Sequence, residues 1–272
     1  MLPIRLIKEK SKSLKIPYQN LLVGAAKERI LDNLQGTFPF YLKRTSQIGL
    51  NAYRTGCFKQ LYLSIREDVT EQDLKKIFKE HLDNYWMTKE ANGYLVKTEV
   101  PFDKLSIQIQ IMIEYTDEKK AKLTEKKVRL IYENDRSINL ICYYPEAELA
   151  ELFIMLYKDL ELLRDVDILE VMYQYAKEYS INGKYLSLYM EEELKALGTE
   201  INEKILADIQ TTMKNKALGL RYKGYLRSQK RTEPSFETIR ALLEKLFGPI
   251  LTYMIKEEIF FGDWLPELER YL

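Results

Sequence analysis

The polarity pattern of the chain changes period near its middle. Over residues 18–34, Leu21, Leu22, Ala25, Ala26, Ile30, Leu31 and Leu34 recur at helical spacing behind Pro17, which suits a first helical turn. Residues 38–66, FPFYLKRTSQIGLNAYRTGCFKQLYLSIR, read as an apolar strand, a polar turn with a short helical stretch over 45–54, and a second strand. Thr70 with Asp73 three positions on gives an N-cap for a helix carrying Leu74, Ile77, Phe78 and Leu82. In SIQIQIMIEY, residues 106–115, Ile107, Ile109, Ile111 and Ile113 alternate with polar positions, the pattern of a half-buried strand. The charged run 116–127 then reads as a hairpin loop, 128–132 as its returning strand and 137–144 as a further strand. Lys119, Lys120, Lys122, Lys126 and Lys127 are interleaved there with acids, as on a solvated edge.

From Pro145 the alternation stops and helical spacing takes over. Leu149, Leu152, Phe153, Leu156 and Leu160 form one apolar stripe, and 166–175 a second. Two more helices are predicted at 186–197 and 199–216, and a last one from Ser235, interrupted by Gly248 and Pro249. The pattern predicts an α/β (α+β) mixed-sheet core over residues 1–144 and a helical C-terminal domain over 145–272.

Composition narrows the chemistry. The 272 residues are 46% hydrophobic, enough to bury a substantial core, and 31% charged with a net charge of only +1. No whole-molecule field therefore steers the protein to nucleic acid or anionic lipid, and any such contact must be local. Two distant cysteines, Cys57 and Cys142, with no CxxC and one histidine, argue against a disulfide framework or a zinc site and for a reducing cytoplasm. No run approaches the roughly 18 apolar residues of a membrane span. The expectation is a soluble cytoplasmic protein. There is no Walker loop and no GxGxxG, and His81 falls on a polar helix face, where a solvated histidine is the plain reading and a hydrolase triad has no nucleophile motif beside it.

With SLKIPYQNLLVGAAKERILDNL, residues 13–34, included, the stretch 38–66 resembles the AbiEii-type nucleotidyltransferase toxins of bacterial defence and toxin–antitoxin systems. In that family a helix of this kind leads to a strand ending LKGG(T/M), then a helix, then a strand carrying DxD. Leu42 and Lys43 stand at the family's LK, Arg44 and Thr45 replace its two glycines, and Ser46 follows. With a one-residue gap the two aspartates fall on Gln60 and Tyr62. Further on, Ala150 and Glu151 match the family's AE, Leu152 stands at its lysine, and Arg164, Asp165 and Asp167 match its RD…D portion one residue short. PSFETIRALLEKLFGPIL resembles the closing helix, with Trp264 where such chains often carry an aromatic near the end.

The resemblance implies a nucleotidyltransferase-like mixed sheet whose nucleotide site survives as a remnant: Lys43, Arg44, Thr45, Ser46, Gln60, Tyr62, Glu151, Arg164, Asp165 and Asp167. Nucleotidyl transfer needs carboxylates two apart on one strand to hold Mg²⁺, and an amide and a phenol supply no negative charge. A third carboxylate is expected around 128–133, where Glu133 is the acid present; Glu67 and Asp68 follow the second strand. The expected function is non-catalytic, a binding or regulatory component of a defence, toxin–antitoxin or mobile-element system with no metal and no cofactor. The alternative is an active nucleotidyltransferase toxin with displaced acids, which alone would need Mg²⁺ and a nucleoside triphosphate. A cognate protein or RNA is the expected partner. Between Asp208 and Glu233 there is no acid, while Lys214, Lys216, Arg221, Lys223, Arg227, Lys230 and Arg231 are interleaved with Tyr222 and Tyr225. If nucleic acid binds, this is the candidate surface, with tyrosine faces for unpaired bases; the plain reading is a solvated connection between helices.

Overall fold

A computed structural model describes residues 4–37, 40–56, 58–103, 105–117, 122–133, 136–159 and 166–272. Phe38, Cys57, Lys119, Lys120, Leu160, Arg164 and Asp165 lie outside the described residues. The chain divides into two compact units, Met1–Tyr143 and Tyr144–Leu272. The fold is mixed α/β.

In the first unit α1 (Ile4–Leu14) and α2 (Tyr18–Leu34) precede β1 (Tyr41–Lys43), a 3-10 turn (Thr45–Gln47), α3 (Leu50–Thr55) and β2 (Gln60–Arg66). Then come α4 (Glu71–His81), β3 (Asn84–Glu90), β4 (Gly93–Phe102), β5 (Leu105–Thr116), β6 (Leu123–Arg129) and β7 (Ser137–Tyr143). The strands form one mixed seven-stranded sheet in the order β3-β4-β5-β2-β1-β7-β6, parallel at β2–β5 and β1–β7. The isoleucines of β5 share one buried face with Leu61, Leu63 and Ile65 of β2, and α2 packs on β4 and β5. All of α2 from position 21 to 28 is buried. At Gly24 an added Cβ would stand 2.7 Å from the Tyr53 ring, so only glycine lets α3 approach this closely. The Thr70 capping box forms as its spacing predicts.

Several expectations fail for physical reasons. The expected hairpin partner of β5 is not its neighbour: β6 starts at Leu123 and pairs with β7, while β2, β1 and β7 separate it from β5. As an edge strand it buries only Val128, so alternation could not mark it. The same holds for β3, unforeseen, whose Trp86 is 59% exposed at the other edge. Nor is α1, unforeseen as well, legible by periodicity, since it buries Ile7 alone.

The second unit contains α5 (Pro145–Asp159), α6 (Asp167–Glu178), β8 (Ile181–Asn182), α7 (Gly183–Ala196), α8 (Glu203–Met213), α9 (Lys216–Ser228), α10 (Phe236–Ile255), β9 (Asp263–Leu265) and β10 (Arg270–Tyr271). The helix expected over 199–216 is α8, shorter at both ends because Asn202 caps its start and Asn215 caps a further helix, α9, that follows it. The supposed connection 214–231 is therefore mostly helix. Pro249 does not interrupt α10: Leu246, Phe247, Ile250 and Leu251 are buried on both sides of it, and their packing outweighs the missing N–H. Buried Trp264 donates to the Ala176 carbonyl at 2.7 Å and ties the small β8-β9-β10 sheet to α6. Among the described residues no helix is long and apolar enough to cross a membrane.

Candidate functional site

The candidate site is built on β1, the turn after it and β2. Arg44 has φ 54 and ψ 49, the left-handed conformation that favours glycine. Arg44 stands against a glycine in the resemblance described above, and its backbone shape is one that glycine adopts freely. Thr45, Ser46 and Gln47 are buried, and two ammonium groups hold the turn: Lys27 donates to the Gln47 carbonyl at 3.1 Å and Lys126 to the Thr45 carbonyl at 3.3 Å. The Gln47 and Ile48 N–H groups are spent inside the turn, on Arg44 and Thr45. The Ser46 hydroxyl is buried with no hydrogen-bond partner among the described residues.

The side chains in front of this turn engage each other. The Arg44 guanidinium lies 3.6 Å from the centre of the Tyr62 ring, and the Tyr62 hydroxyl donates to Gln60 Oε1 at 2.7 Å. By strand register Lys43 lies opposite Tyr62, and its ammonium bridges to Glu114 on β5 at 2.7 Å. Beside them Ser64, Tyr143 and Thr116 form a hydroxyl chain with both steps at 2.8 Å. The structure therefore brings together Lys43, Arg44, Gln60 and Tyr62, and adds Glu114 and Tyr143, which sequence reasoning missed. Glu114 had a signal: it falls on the polar face of the β5 alternation, opposite Ser64.

Of the acids considered as substitutes, Asp68 and Glu133 are engaged elsewhere. Asp68 takes both nitrogens of Arg66 at 3.0 and 2.9 Å, and Glu133 accepts from Arg136 at 2.9 Å. No group of three metal-ligating side chains occurs among the described residues. Glu114 alone, neutralised by Lys43, does not make the multi-oxygen shell that Mg²⁺ requires, so the residues described do not fit that ion.

Behind the turn, Glu28 is fully buried. It accepts from the Ile131 N–H at 2.6 Å and the Tyr53 hydroxyl at 3.2 Å, while Lys10 donates to the Ile131 carbonyl. Burial pushes its carboxyl up to about 8 against the pull of those donors and of Lys10 and Lys27. Tyr53 is raised well above the usual phenol range, first by burial and then by Glu28.

The remaining candidates belong to the second unit. Glu151 lies on α5 next to Leu152, which is buried, and Asp167 opens α6, where a negative charge suits the helix start. On α9 the basic residues and the tyrosines separate. Lys216, Lys223 and Arg227 are exposed and fall within about 40° of one another around the axis, beside Leu220, which is 70% exposed. Lys214 and Lys230 flank the helix and are exposed, as is Arg221. Tyr222 points inward and is fully buried against Phe236, so it offers no face to a base; Tyr225 is half-buried, its ring 5.8 Å from that of Tyr222. Arg231 is bound as well, 2.6 Å from the buried Glu170 carboxylate.

Comparisons with known proteins reach the fold only. No protein-family model matches the chain, and no curated protein is similar to it in sequence. Solved structures that match in backbone include the following three. JHP933 from Helicobacter pylori shares 14% identity over 89% of this chain and 94% of that one, with a TM-score of 0.47. A candidate nucleotidyltransferase from H. pylori shares 15% over 89% and 97%, with a TM-score of 0.49. An antigenic nucleotidyltransferase-like protein from Paracoccidioides brasiliensis shares 10% over 70% and 92%, with a TM-score of 0.43.

Proposed function

We propose that this chain is a nucleotidyltransferase-like protein of AbiEii type that has lost nucleotide transfer and serves as a binding or regulatory component of a bacterial defence, toxin–antitoxin or mobile-element system. One observation carries the reading. The glycine-type turn at Arg44 persists, yet the space a triphosphate and its metal would use in front of β2 is taken by Arg44 stacked on Tyr62, with Tyr62 bonded to Gln60. A stacked, hydrogen-bonded trio of cation, phenol and amide attracts no divalent ion. The strand, turn, helix, strand order of β1 to β2 supports the frame.

The alternative, an active toxin transferring a nucleotide from a nucleoside triphosphate to an RNA or protein acceptor, has Glu114 in its favour, the acid that lies by register on the face of Lys43 and Tyr62. The test is label transfer. The purified protein is incubated with Mg²⁺ or Mn²⁺, each labelled nucleoside triphosphate and bulk tRNA. No label should appear on tRNA or protein; transfer that is abolished by Glu114→Gln would establish the alternative.

RNA remains the nucleic-acid partner in this reading, through the α9 stripe of Lys216, Lys223 and Arg227. With Tyr222 turned inward, the contact is to phosphates rather than to unpaired bases.

A further inference from the structure

The second unit carries a groove that the reading above does not use. It lies where α7 and α10 end, has a volume of about 760 Å³, and is floored by Leu188, Ile201, Met254 and Ile259. Four carboxylates line it, Glu191, Glu200, Glu257 and Glu258, against the single ammonium of Lys195, which Glu191 already engages. Both helices present their C-terminal, partially negative ends to it. Helix ends and side chains therefore set the same sign of potential over an apolar floor.

The two helix ends are built alike and filled differently. After α7 the left-handed position is Gly198, φ 65, with the N–H of Gly198 on Lys195 and that of Thr199 on Leu194. After α10 the same hydrogen bonds run from Glu257 to Met254 and from Glu258 to Tyr253, but the left-handed residue is Glu257, φ 57. A side chain there is strained relative to glycine. A carboxylate thus stands at the left-handed position in the groove wall.

We infer that this groove docks a cationic amphipathic helix of a partner protein, its apolar side chains on the Leu188, Ile201 and Ile259 floor and its lysines or arginines against Glu200, Glu257 and Glu258. A polypeptide is favoured over a small cation because the apolar surface continues outside the groove: Ile259 is 57% and Phe261 69% exposed. The inference is independent of whether the β1–β2 site is catalytic.

The probe is a fluorescent amphipathic helix of leucine and lysine, about 14 residues long. Anisotropy should show saturable binding at moderate salt, and exchange of its lysines for glutamate or its leucines for serine should abolish that binding. The triple variant Glu200→Gln, Glu257→Gly, Glu258→Gln should bind at least about tenfold more weakly. Glu257→Gly alone should weaken binding while leaving the melting temperature unchanged or higher, a combination that a merely misfolded variant cannot give. Equal binding by wild type and triple variant overturns the inference, as does equal binding of the serine peptide, which would mean diffuse charge attraction only. Sedimentation supplies the last arm: self-association of the wild type that the triple variant loses would mean that the occupant is a second copy of this chain, and would overturn a separate partner.

Discussion

Glu28 in the first unit and Glu170 in the second are both fully buried carboxylates, and they meet opposite kinds of partner. In the first, Glu28 is surrounded by a peptide N–H and a phenol, with lysines near but bonded to carbonyls; in the second, Glu170 faces the guanidinium of Arg231 directly. Glu28 is raised to about 8 and Glu170 is raised by burial against the pull of Arg231. The difference teaches which charges remain for function. Arg231, Arg44 and Lys43 are committed to partners within their own units, whereas the α9 stripe faces solvent.

The contrast has its largest expected consequence in pH dependence. A carboxyl that is raised on folding stays protonated in the native state while the unfolded chain ionises, so stability is greatest below the ordinary value near 4.5 and is lost as pH rises to about 8. The loss is at most about 5 kcal/mol. Denaturant melts at about pH 5 and about pH 8 should show a drop in the first unit that Glu28→Gln removes. A wild type and variant with parallel pH profiles would mean that Glu28 ionises freely in the native state.

Next in size is the ion pair. Arg231→Met leaves Glu170 buried without its cation and should cost about 3–5 kcal/mol, while adding Glu170→Gln should recover most of it. Additive losses in that cycle would show that the pair is not coupled. In the first unit Tyr62→Phe removes the hydrogen bond to Gln60, leaving the ring under Arg44, and should cost about 1 kcal/mol. A loss several times larger would mean that the hydroxyl anchors more than Gln60.

The smallest effect on stability belongs to α9. Alanine at Lys216, Lys223 and Arg227 should shift stability by no more than about 0.5 kcal/mol, yet lower the salt dependence of tRNA affinity by about 2–3 in the log–log slope. An unchanged slope would leave the stripe as a solvated surface.

Periodicity and capping were legible wherever an element buries one face by itself. The helix at 18–34, the isoleucine strand, the Thr70 cap and the change of character near Pro145 are local patterns, and local sequence suffices to set them. The site was legible only as a frame: Lys43, Arg44, Gln60 and Tyr62 come together, but the stack of Arg44 on Tyr62 has no signature in spacing. Glu114 reaches Lys43 from 71 residues away, a pairing set by sheet order.

By itself, then, the sequence determined which stretches alternate, which take helical spacing, and where it departs from the motifs it resembles. The tertiary structure decided which strand β6 joins, that Pro249 stays inside α10, that Tyr222 turns into the core, and that two helix ends converge with glutamates on one groove. Edge strands, committed charges and converging helix ends are properties of neighbours distant in the chain, and a local pattern holds no record of a neighbour it has yet to meet.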